Sequence, residues 1–449
     1  MTKDFQAAYI PVGVPTFHLE SARAEFAKSA ELLRSICPDT AVPDDLLLGT
    51  DQLSAFLDTI DPDFIIFQNA TFANAAYVSE VLHRFRDVPI LLWTLREPVI
   101  DGGRLRLNSL TGAYSAANTI RQFRQEPFEY VYGSPSEEKV IRKIKAAFGA
   151  ARLRLSLRSL KLAAVGHTPQ GFGFGRAGDA ELLRTFGVRL ESIEARELID
   201  LARSFSDEEC SVFLEDAEGR TVGLECTPEK NRLDFARLYK AYFKYVKDNN
   251  IGALASRCWP DFFTSFGTPI CAVLAILNDL GIASSCEADT FGALSMYMGQ
   301  QLTGSPAFFG DPVSLDEEEN TITFWHCGTA ACSLARPDTG ALIGEHCNRH
   351  IGPTLEFGCK AAPEVTIFRV GKAPDGNFRF FIASGEALDR DKQFLGTSLT
   401  VRTKASAEDI VHRTVKEGWE PHYAVIYGGC ADSLEILAHM LNIEVLRCE

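Results

Sequence analysis

Short apolar segments alternate with amphipathic segments through the first third of the chain. The apolar runs have the length of strands and occupy residues 7–14, 63–68, 88–93 and 130–132. Helical spacing of apolar residues is found between them, at residues 19–36 and 74–86. Strands that are apolar on both faces indicate a parallel sheet covered by helices on both sides. The pattern predicts an α/β domain with a doubly wound parallel sheet over residues 1–155.

A second alternating set follows the basic, helix-like stretch at residues 152–161. Its strand-like and helix-like segments lie at residues 161–166, 187–192, 194–205, 228–248 and 252–256. The same argument predicts a second doubly wound domain over residues 156–302.

After about residue 360 the segments become β-rich, with Gly, Pro and Asp between them, and two helical patterns follow at residues 407–416 and 433–440. We therefore expect a β-rich, barrel-like third domain over residues 303–449, built from antiparallel strands.

Charge and hydropathy exclude several classes of protein. The formal net charge of −15 disfavours nucleic acid and anionic membranes as partners, because both select basic surfaces. No apolar run approaches the roughly 20 residues that span a bilayer, and the N-terminus lacks the features of a signal peptide. The 12 cysteines are scattered without a CxxC pair. We expect a cytoplasmic protein with reduced thiols and no thiolate metal site.

Two acidic residues stand out in the apolar back half of the chain. Glu287 ends the strand-like run at residues 281–287, and Asp311 ends the run at 306–311. An apolar, helix-like segment at residues 291–303 separates the two runs. A strand–helix–strand unit places its two strands side by side in parallel. Both carboxylates would then open into one crevice at the carboxyl ends of neighbouring strands, where α/β proteins bind ligands.

The residues alone leave three functions open for this acid pair. With an imidazole from His326 or His422, the two carboxylates suit Mn²⁺, Fe²⁺ or Zn²⁺. Two carboxylates also suit glycoside hydrolysis, with one acting as the acid and the other as base or nucleophile. Alternatively, the pair is structural and binds a helix N-terminus or an arginine.

The glycine-rich turn at residues 166–175 does not match a nucleotide-binding motif. Gly166 and Gly171 are not followed by the Lys-Ser/Thr of a phosphate-binding loop, and the glycine spacing is not that of a dinucleotide site. Glycine permits close approach of a ligand, so Gln170 in this turn is a candidate substrate contact. The alternative is a tight turn without a role in binding.

The central block of the chain resembles the L-fucose/L-arabinose isomerase group of metal-dependent aldose–ketose isomerases. The similar segments are residues 258–261, 275–282, 286–295, 302–306 and 325–328, with further similarity at 105–112 and 130–133. The resemblance implies that Glu287, Asp311 and His422 bind the metal, expected to be Mn²⁺, and that the two acids also exchange protons. It further implies three domains and a homo-oligomer, a hexamer by analogy. Active sites would lie between the second and third domains, completed by the first domain of a neighbouring subunit.

We therefore expect an enzyme that interconverts an aldose and a ketose at C1 and C2 of an open-chain sugar. An enediol route is expected, with a metal-promoted hydride shift as the rival mechanism. The remaining candidate substrate contacts are His326, Trp325, Asn348 and Arg349. Some members of the group act on the sulfonated hexose sulfoquinovose, and the cations available for a sulfonate are His167, Arg176 and Arg349. A non-catalytic sugar sensor on the same scaffold is the alternative.

Overall fold

The computed structural model describes residues 4–124 and 127–449. These residues form two compact units. One unit contains the residues up to Ser156 together with Asp432–Ile443, and the other contains Leu157–Ala431 together with Glu444–Glu449. None of the helices in the described residues combines the length and the apolar character needed to cross a membrane.

The first unit is built around a four-stranded parallel sheet. Its elements, in chain order, are β1 (Ala7–Val12), α1 (Leu19–Ile36), α2 (Thr50–Leu57), β2 (Phe64–Asn69), α3 (Ala75–Arg84), β3 (Ile90–Thr94), α4 (Ser109–Phe123), β4 (Glu129–Tyr132) and α5 (Glu138–Ser159). The strand order follows the chain, β1-β2-β3-β4. The first three strands are buried at every position, as expected for largely apolar strands covered on both faces.

The second unit begins with another alternation of strands and helices. Its elements are β5 (Lys161–Val165), α6 (Asp179–Phe186), β6 (Arg189–Ile193), α7 (Ala195–Arg203), α8 (Asp207–Arg220), α9 (Glu229–Asn249), β7 (Ala253–Ser256), α10 (Cys271–Asp279), β8 (Ala283–Cys286) and α11 (Thr290–Thr303). The strands form a parallel sheet in the order β6-β5-β7-β8. Because the order reverses between β5 and β7, the carboxyl ends of these strands border the crevice where such sheets bind ligands.

Antiparallel strands dominate the rest of the chain. The elements are β9 (Ala307–Asp316), β10 (Thr321–His326), β11 (Ile343–Gly344), β12 (Thr354–Leu355), β13 (Phe357–Gly358), β14 (Ala362–Lys372), β15 (Phe378–Ala387), β16 (Thr397–Thr403), α12 (Ala407–Lys416), β17 (Tyr423–Tyr427), α13 (Ala431–Leu441) and β18 (Glu444–Cys448). Six strands close a barrel in the order β16-β10-β9-β17-β14-β15, with β15 pairing back onto β16. The predicted fold class, parallel α/β sheets followed by a β-rich barrel, is confirmed.

The predicted parallel pairing of the strands on either side of α11 is wrong. Strand β8 belongs to the parallel sheet, whereas β9 is a barrel strand that pairs antiparallel with β10 and β17. Strand β10 follows β9 after a short polar turn, so pairing with it closes a much shorter loop than pairing with β8 would. In addition, Asp311 lies within β9 and not at the end of the strand.

Helices are predicted well where a capping residue precedes an amphipathic pattern. Helix α1 occupies the predicted residues, with His18 accepting a hydrogen bond from the backbone of Ser21. Helix α12 also matches its predicted bounds, and Ser406 caps it. Helix α8 was not predicted, although Ser206 forms a capping box at its start. Its many acidic residues leave little apolar periodicity to recognise.

Candidate active site

Three loops follow neighbouring strands of the second unit's parallel sheet and meet at its carboxyl edge. The glycine turn at residues 166–175 follows β5, Trp259 lies soon after β7, and Glu287 directly follows β8. Strands that run parallel end at the same edge of the sheet, so side chains distant in sequence come together there. This edge provides the first half of the candidate site.

The backbone at Glu287 has an uncommon conformation. Glu287 and Ala288 have φ angles of +59° and +53°, in the left-handed region that non-glycine residues seldom adopt. Immediately afterwards Asp289 caps α11, and its Oδ1 accepts a hydrogen bond from the backbone N–H of Gly292 at 2.9 Å. The Ser285 hydroxyl donates to the Asp289 carbonyl at 2.7 Å and braces this turn. Such local strain is concentrated at functional sites in proteins.

Barrel strands provide the other half of the site. Asp311 on β9 lies opposite Trp325 on β10 in the antiparallel ladder. On its other side β9 pairs with β17, with Gly310 opposite Tyr423. His422 directly precedes Tyr423, so the same register brings His422 beside Asp311.

His422 is the point on which the acidic residues converge. Its Nε2 lies 3.1 Å from Oε2 of Glu287 and 3.4 Å from Oδ1 of Asp311. The imidazole is 1% exposed, while the side chains of Glu287 and Asp311 are 16% and 30% exposed. Solvent, and hence a small ligand, can therefore reach the two carboxylates. The structure thus brings together three residues that are far apart in the sequence.

Burial and charge act in opposite directions on the ionisable groups of the site. Burial lowers the pKa of His422, but its hydrogen bonds with Asp289 and Glu287 outweigh this effect and raise the pKa to about 9. In this protonated form the ring donates to carboxylates on both sides, and a metal at Nε2 would take the place of the proton there. Burial raises the pKa of Asp311, although the charge of His422 opposes the shift.

Asp289 joins His422 to a buried arginine. Its Oδ2 lies 2.9 Å from Nδ1 of His422 and accepts a hydrogen bond from Nη1 of Arg369 at 2.7 Å. A second guanidinium N–H, on Nη2, donates to Oδ1 at 3.1 Å. Arg369 is 0% exposed and Asp289 is 1% exposed, so the charges compensate each other inside the protein. Because an ionised carboxylate only accepts hydrogen bonds, Asp289 places a proton on Nδ1 of His422 and leaves Nε2 directed at the acids.

His326 lies next to the same acidic group. Its imidazole, Glu287 and His422 each offer a ligand atom within 4.8 Å of the others. Nδ1 of His326 is 3.1 Å from Oγ1 of Thr329 and 3.4 Å from Sγ of Cys327. Carboxylate oxygens and imidazole nitrogens are suitable donors for Mn²⁺, Fe²⁺ or Zn²⁺. The donor set of the site therefore fits a divalent metal of this kind.

The thiols lie deeper than the acidic group. Cys286, Cys327 and His326 also place one ligand atom each within 4.8 Å of the others, and all three residues are buried. Nothing in the sequence indicated this cluster, because Cys286 and Cys327 lie on or beside strands from different sheets. The expectation of no thiolate metal site stays a prediction.

Aromatic rings surround the imidazole of His422. The ring centroids of Phe309 and Phe174 lie 4.7 and 5.3 Å from it, and that of Phe172 lies 6.3 Å away. The glycine turn therefore packs against the site. It contains a position where only glycine fits, since a Cβ at Gly175 would lie 2.8 Å from Cα of Asp289.

Trp259 contacts the acidic group directly. Its indole N–H donates to Oε1 of Glu287 at 3.3 Å, and its ring lies 6.2 Å from that of Phe172. The guanidinium of Arg349 also lies against this indole, with Cζ 5.2 Å from the Trp259 ring centroid. Arg349, a predicted substrate contact, is thus linked to Glu287 through the indole of Trp259.

The other predicted substrate contacts occupy different positions. Trp325 lies opposite Asp311, and its indole N–H donates to the carbonyl of Leu395 at 2.7 Å. Gln170 and Asn348 are exposed, and within the described residues neither forms a hydrogen bond with Glu287, Asp311 or His422. The backbone N–H of Asn348 donates to Nδ1 of His346. Their roles stay predictions.

Three residues of the site were not predicted from the sequence. Arg369 is a cation inside the apolar strand pattern of β14, and such a residue requires a buried partner. Asp289 directly precedes an apolar helix, which is the position of an N-cap. Trp259 belongs to a segment that resembles the isomerase group, but nothing in that segment indicates its contact with Glu287.

Curated proteins of known name match the chain over nearly its full length. The sulfoquinovose isomerase of Clostridium sp. (strain MSTE9) is 63% identical over 441 residues, which cover 98% of each chain. The sulfoquinovose isomerase of Priestia aryabhattai is 38% identical over 440 residues, covering 97% of each chain. The sulfoquinovose isomerase of Alkalicoccus urumqiensis is 34% identical over 447 residues, covering 98% of this chain and 99% of the relative. No protein-family model matches the chain.

Proposed function

The chain belongs to the sulfoquinovose isomerase family of aldose–ketose isomerases, and we propose that it interconverts sulfoquinovose and the corresponding 2-ketose. Sulfoquinovose is a glucose in which a sulfonate replaces the hydroxyl at C6. The observation that carries the proposal is the convergence of Glu287 and Asp311 on His422, at distances of 3.1 and 3.4 Å. Isomerisation requires groups that move protons at C1 and C2, and the two carboxylates face the accessible side of the site.

The reaction transfers one hydrogen from C2 to C1 without a net oxidation. We propose that one of Glu287 and Asp311 removes the proton at C2 of the open-chain sugar, which yields an enediol. A proton returned to C1 then completes the ketose, while a proton passes from O2 to O1. A carboxyl group whose pKa is raised by burial, as that of Asp311 is, exchanges protons more readily near neutral pH.

The carboxylate oxygens and imidazole nitrogens of the site support a divalent metal at this position. We propose that Glu287, Asp311 and His422 hold a divalent cation, with Mn²⁺ as the expected ion. Such an ion, when bound, polarises the sugar carbonyl and acidifies the adjacent C–H. Asp289 and Arg369 keep the Nε2 side of His422 directed toward the two acids. His326 and Trp325 flank Asp311 and His422, and we propose that they contact sugar hydroxyls and a sugar face.

The test follows sulfoquinovose in deuterated water by NMR, with the protein stripped by EDTA and then given Mn²⁺. We expect the ketose to appear only with the metal, and deuterium to enter C1 of the ketose and C2 of recovered sulfoquinovose. Glu287→Gln and Asp311→Asn should each lower kcat by about 100-fold to 10,000-fold, the usual contribution of a proton-transfer group.

Other outcomes separate the rival hypotheses. Turnover without any deuterium incorporation would favour the hydride shift over the enediol. Full activity after EDTA treatment, with no metal detected in the protein, would contradict the metal proposal. Tight binding of the sugar without turnover would support the sensor hypothesis and overturn the proposed reaction.

Several further properties stay predictions alongside this proposal. They are the three-domain division at residues 155 and 302, a homo-oligomer such as a hexamer, the cytoplasmic location, and substrate contacts by Gln170 and Asn348. The oligomer can be measured by light scattering of the purified protein. Its presence matters for the reaction, because the resemblance implies that a neighbouring subunit completes each site.

A further inference from the structure

Arg349 is held beside the candidate active site by two aromatic rings. Its Cζ lies 4.9 Å from the ring centroid of Phe263 and 5.2 Å from that of Trp259. Trp259 in turn donates its indole N–H to Oε1 of Glu287. A single indole therefore separates the guanidinium from a carboxylate of the site. Stacking of this kind restricts the side chain in advance, so binding a ligand costs less conformational entropy.

The guanidinium of Arg349 has no anionic partner among the residues that the structure describes. Its Cζ lies against the rings of Trp259 and Phe263, and no carboxylate in the described part of the protein forms an ion pair with it. Other arginines near the sheet edge are engaged, since Arg257 pairs with Asp261 and Arg176 donates to the hydroxyl of Thr168. A partly buried cation without an anion in the protein is available to an anionic ligand.

The overall charge of the chain makes such a cation important. With a formal net charge of −15, the protein repels an anionic substrate at long range. A local positive charge must then offset this repulsion where the anion is bound. The two carboxylates of the site, Glu287 and Asp311, also repel an anion and so increase the need for a local positive charge.

We propose that Arg349 forms the sulfonate subsite of the active site, binding the C6 sulfonate while C1 and C2 lie at Glu287 and Asp311. This inference rests on the proposed function. Trp259 contacts Glu287 through its indole N–H and Arg349 through its ring, so the two ends of one short sugar chain can address both groups. A guanidinium donates two parallel N–H bonds to an oxyanion, which a lysine cannot reproduce.

The experiment compares the wild type with Arg349→Met and Arg349→Lys on two sugars that differ at C6. They are sulfoquinovose and 6-deoxyglucose, and the quantity measured is the ratio of their kcat/KM values. Arg349→Met should lower this preference for the sulfonated sugar about 100-fold, and Arg349→Lys should lower it less. Arg203→Met is the matched control, because Arg203 also lies over an aromatic ring, that of Phe266 at 5.7 Å. It should leave the preference unchanged.

Binding measured by calorimetry with sulfoquinovose separates this inference from the proposed function. If the wild type binds sulfoquinovose without turnover and Arg349→Met binds it more weakly, these results would support the subsite and overturn the proposed reaction. An unchanged preference and unchanged sulfoquinovose affinity in Arg349→Met would overturn the subsite. Equal losses of kcat/KM for both sugars would also overturn the subsite, because they would mean that Arg349 supports the structure. Glucose 6-phosphate serves as a second anion, and stronger dependence on Arg349 for the phosphate than for the sulfonate would assign the subsite to phosphosugars.

Discussion

Asp289 contacts the edge of the His422 imidazole that is turned away from the site. Oδ2 of Asp289 lies 2.9 Å from Nδ1 of the imidazole, while Nε2 on the opposite side of the ring faces Glu287 and Asp311. Both side chains are 1% exposed, so water does not compete for this hydrogen bond. A carboxylate behind an imidazole in this way fixes the ring orientation and its tautomer.

Replacing Asp289 should weaken metal binding. We expect Asp289→Asn to lower the affinity for Mn²⁺ by about 10-fold to 100-fold, because the amide no longer fixes the tautomer of His422. The free Mn²⁺ signal in electron paramagnetic resonance measures this affinity without relying on activity. Asp375→Asn, at an exposed turn, is the control. An unchanged Mn²⁺ affinity in a folded Asp289→Asn protein would contradict the expected role.

Removing Arg369 should destabilise the protein strongly. Arg369→Met leaves Asp289 buried with His422 as its remaining side-chain partner, and loss of one partner from a buried ion pair costs about 3–5 kcal/mol. The matched control is Arg402→Met, since Arg402 forms an exposed pair with Glu386 at 2.7 Å. Such surface pairs contribute less than about 1 kcal/mol. Urea unfolding of the three proteins measures the difference, and equal stabilities would show that the buried pair contributes little.

Gly299 is a position in α11 where added volume should be harmful. A Cβ there would lie 2.4 Å from Cγ1 of Ile426 on β17, so Gly299→Ala should cost about 1–3 kcal/mol of stability. A Cβ at Gly219 in α8 would instead point into open space, and Gly219→Ala should stabilise by up to about 1 kcal/mol. Thermal unfolding gives both changes. Ile426→Ala removes the clashing Cγ1, so the double variant should lose less stability than the sum of the two single losses, and simple additivity would point to a different cause.

The ion pair between His439 and Glu129 should make stability depend on pH. Nδ1 of His439 lies 2.6 Å from Oε1 of Glu129, and this contact raises the pKa of His439 above its usual 6.5. Burial raises the pKa of Glu129, but hydrogen bonds from His439 and Lys143 outweigh it and lower the pKa below 4.5. A raised imidazole pKa stabilises fully below pH 6.5, and this contribution disappears as the pH rises through the raised value. A lowered carboxyl pKa stabilises above pH 4.5 and is lost as the pH falls.

The loss of stability in His439→Gln should therefore be largest between about pH 4.5 and 6.5 and should shrink above that range. Thermal unfolding of wild type and variant at several pH values measures it. His83→Gln, at an exposed position of α3, provides the control. A stability difference that stays constant from pH 5 to pH 9 would show that protonation of His439 does not contribute.

Much of the fold could be predicted because its signals are local. The apolar strands of the parallel sheets and the bounds of α1 and α12 follow from periodicity and capping within a few residues. The pairing of β9 could not be predicted from such local signals. An apolar run shows that a strand is buried, but not which of several apolar neighbours it pairs with.

The sequence by itself determined the residue types of the candidate site, through Glu287 and Asp311 in apolar surroundings and through the resemblance of the central block. It also determined the succession of parallel sheets and barrel, because burial periodicity depends on residues close together in the chain. Only the tertiary structure decided that Asp289 and Arg369 stand behind His422 and that Arg349 lies over Trp259. These contacts join residues from different sheets and loops, and the physical reason is packing. Their distances are set by how the parallel sheet and the barrel meet, which no local pattern encodes.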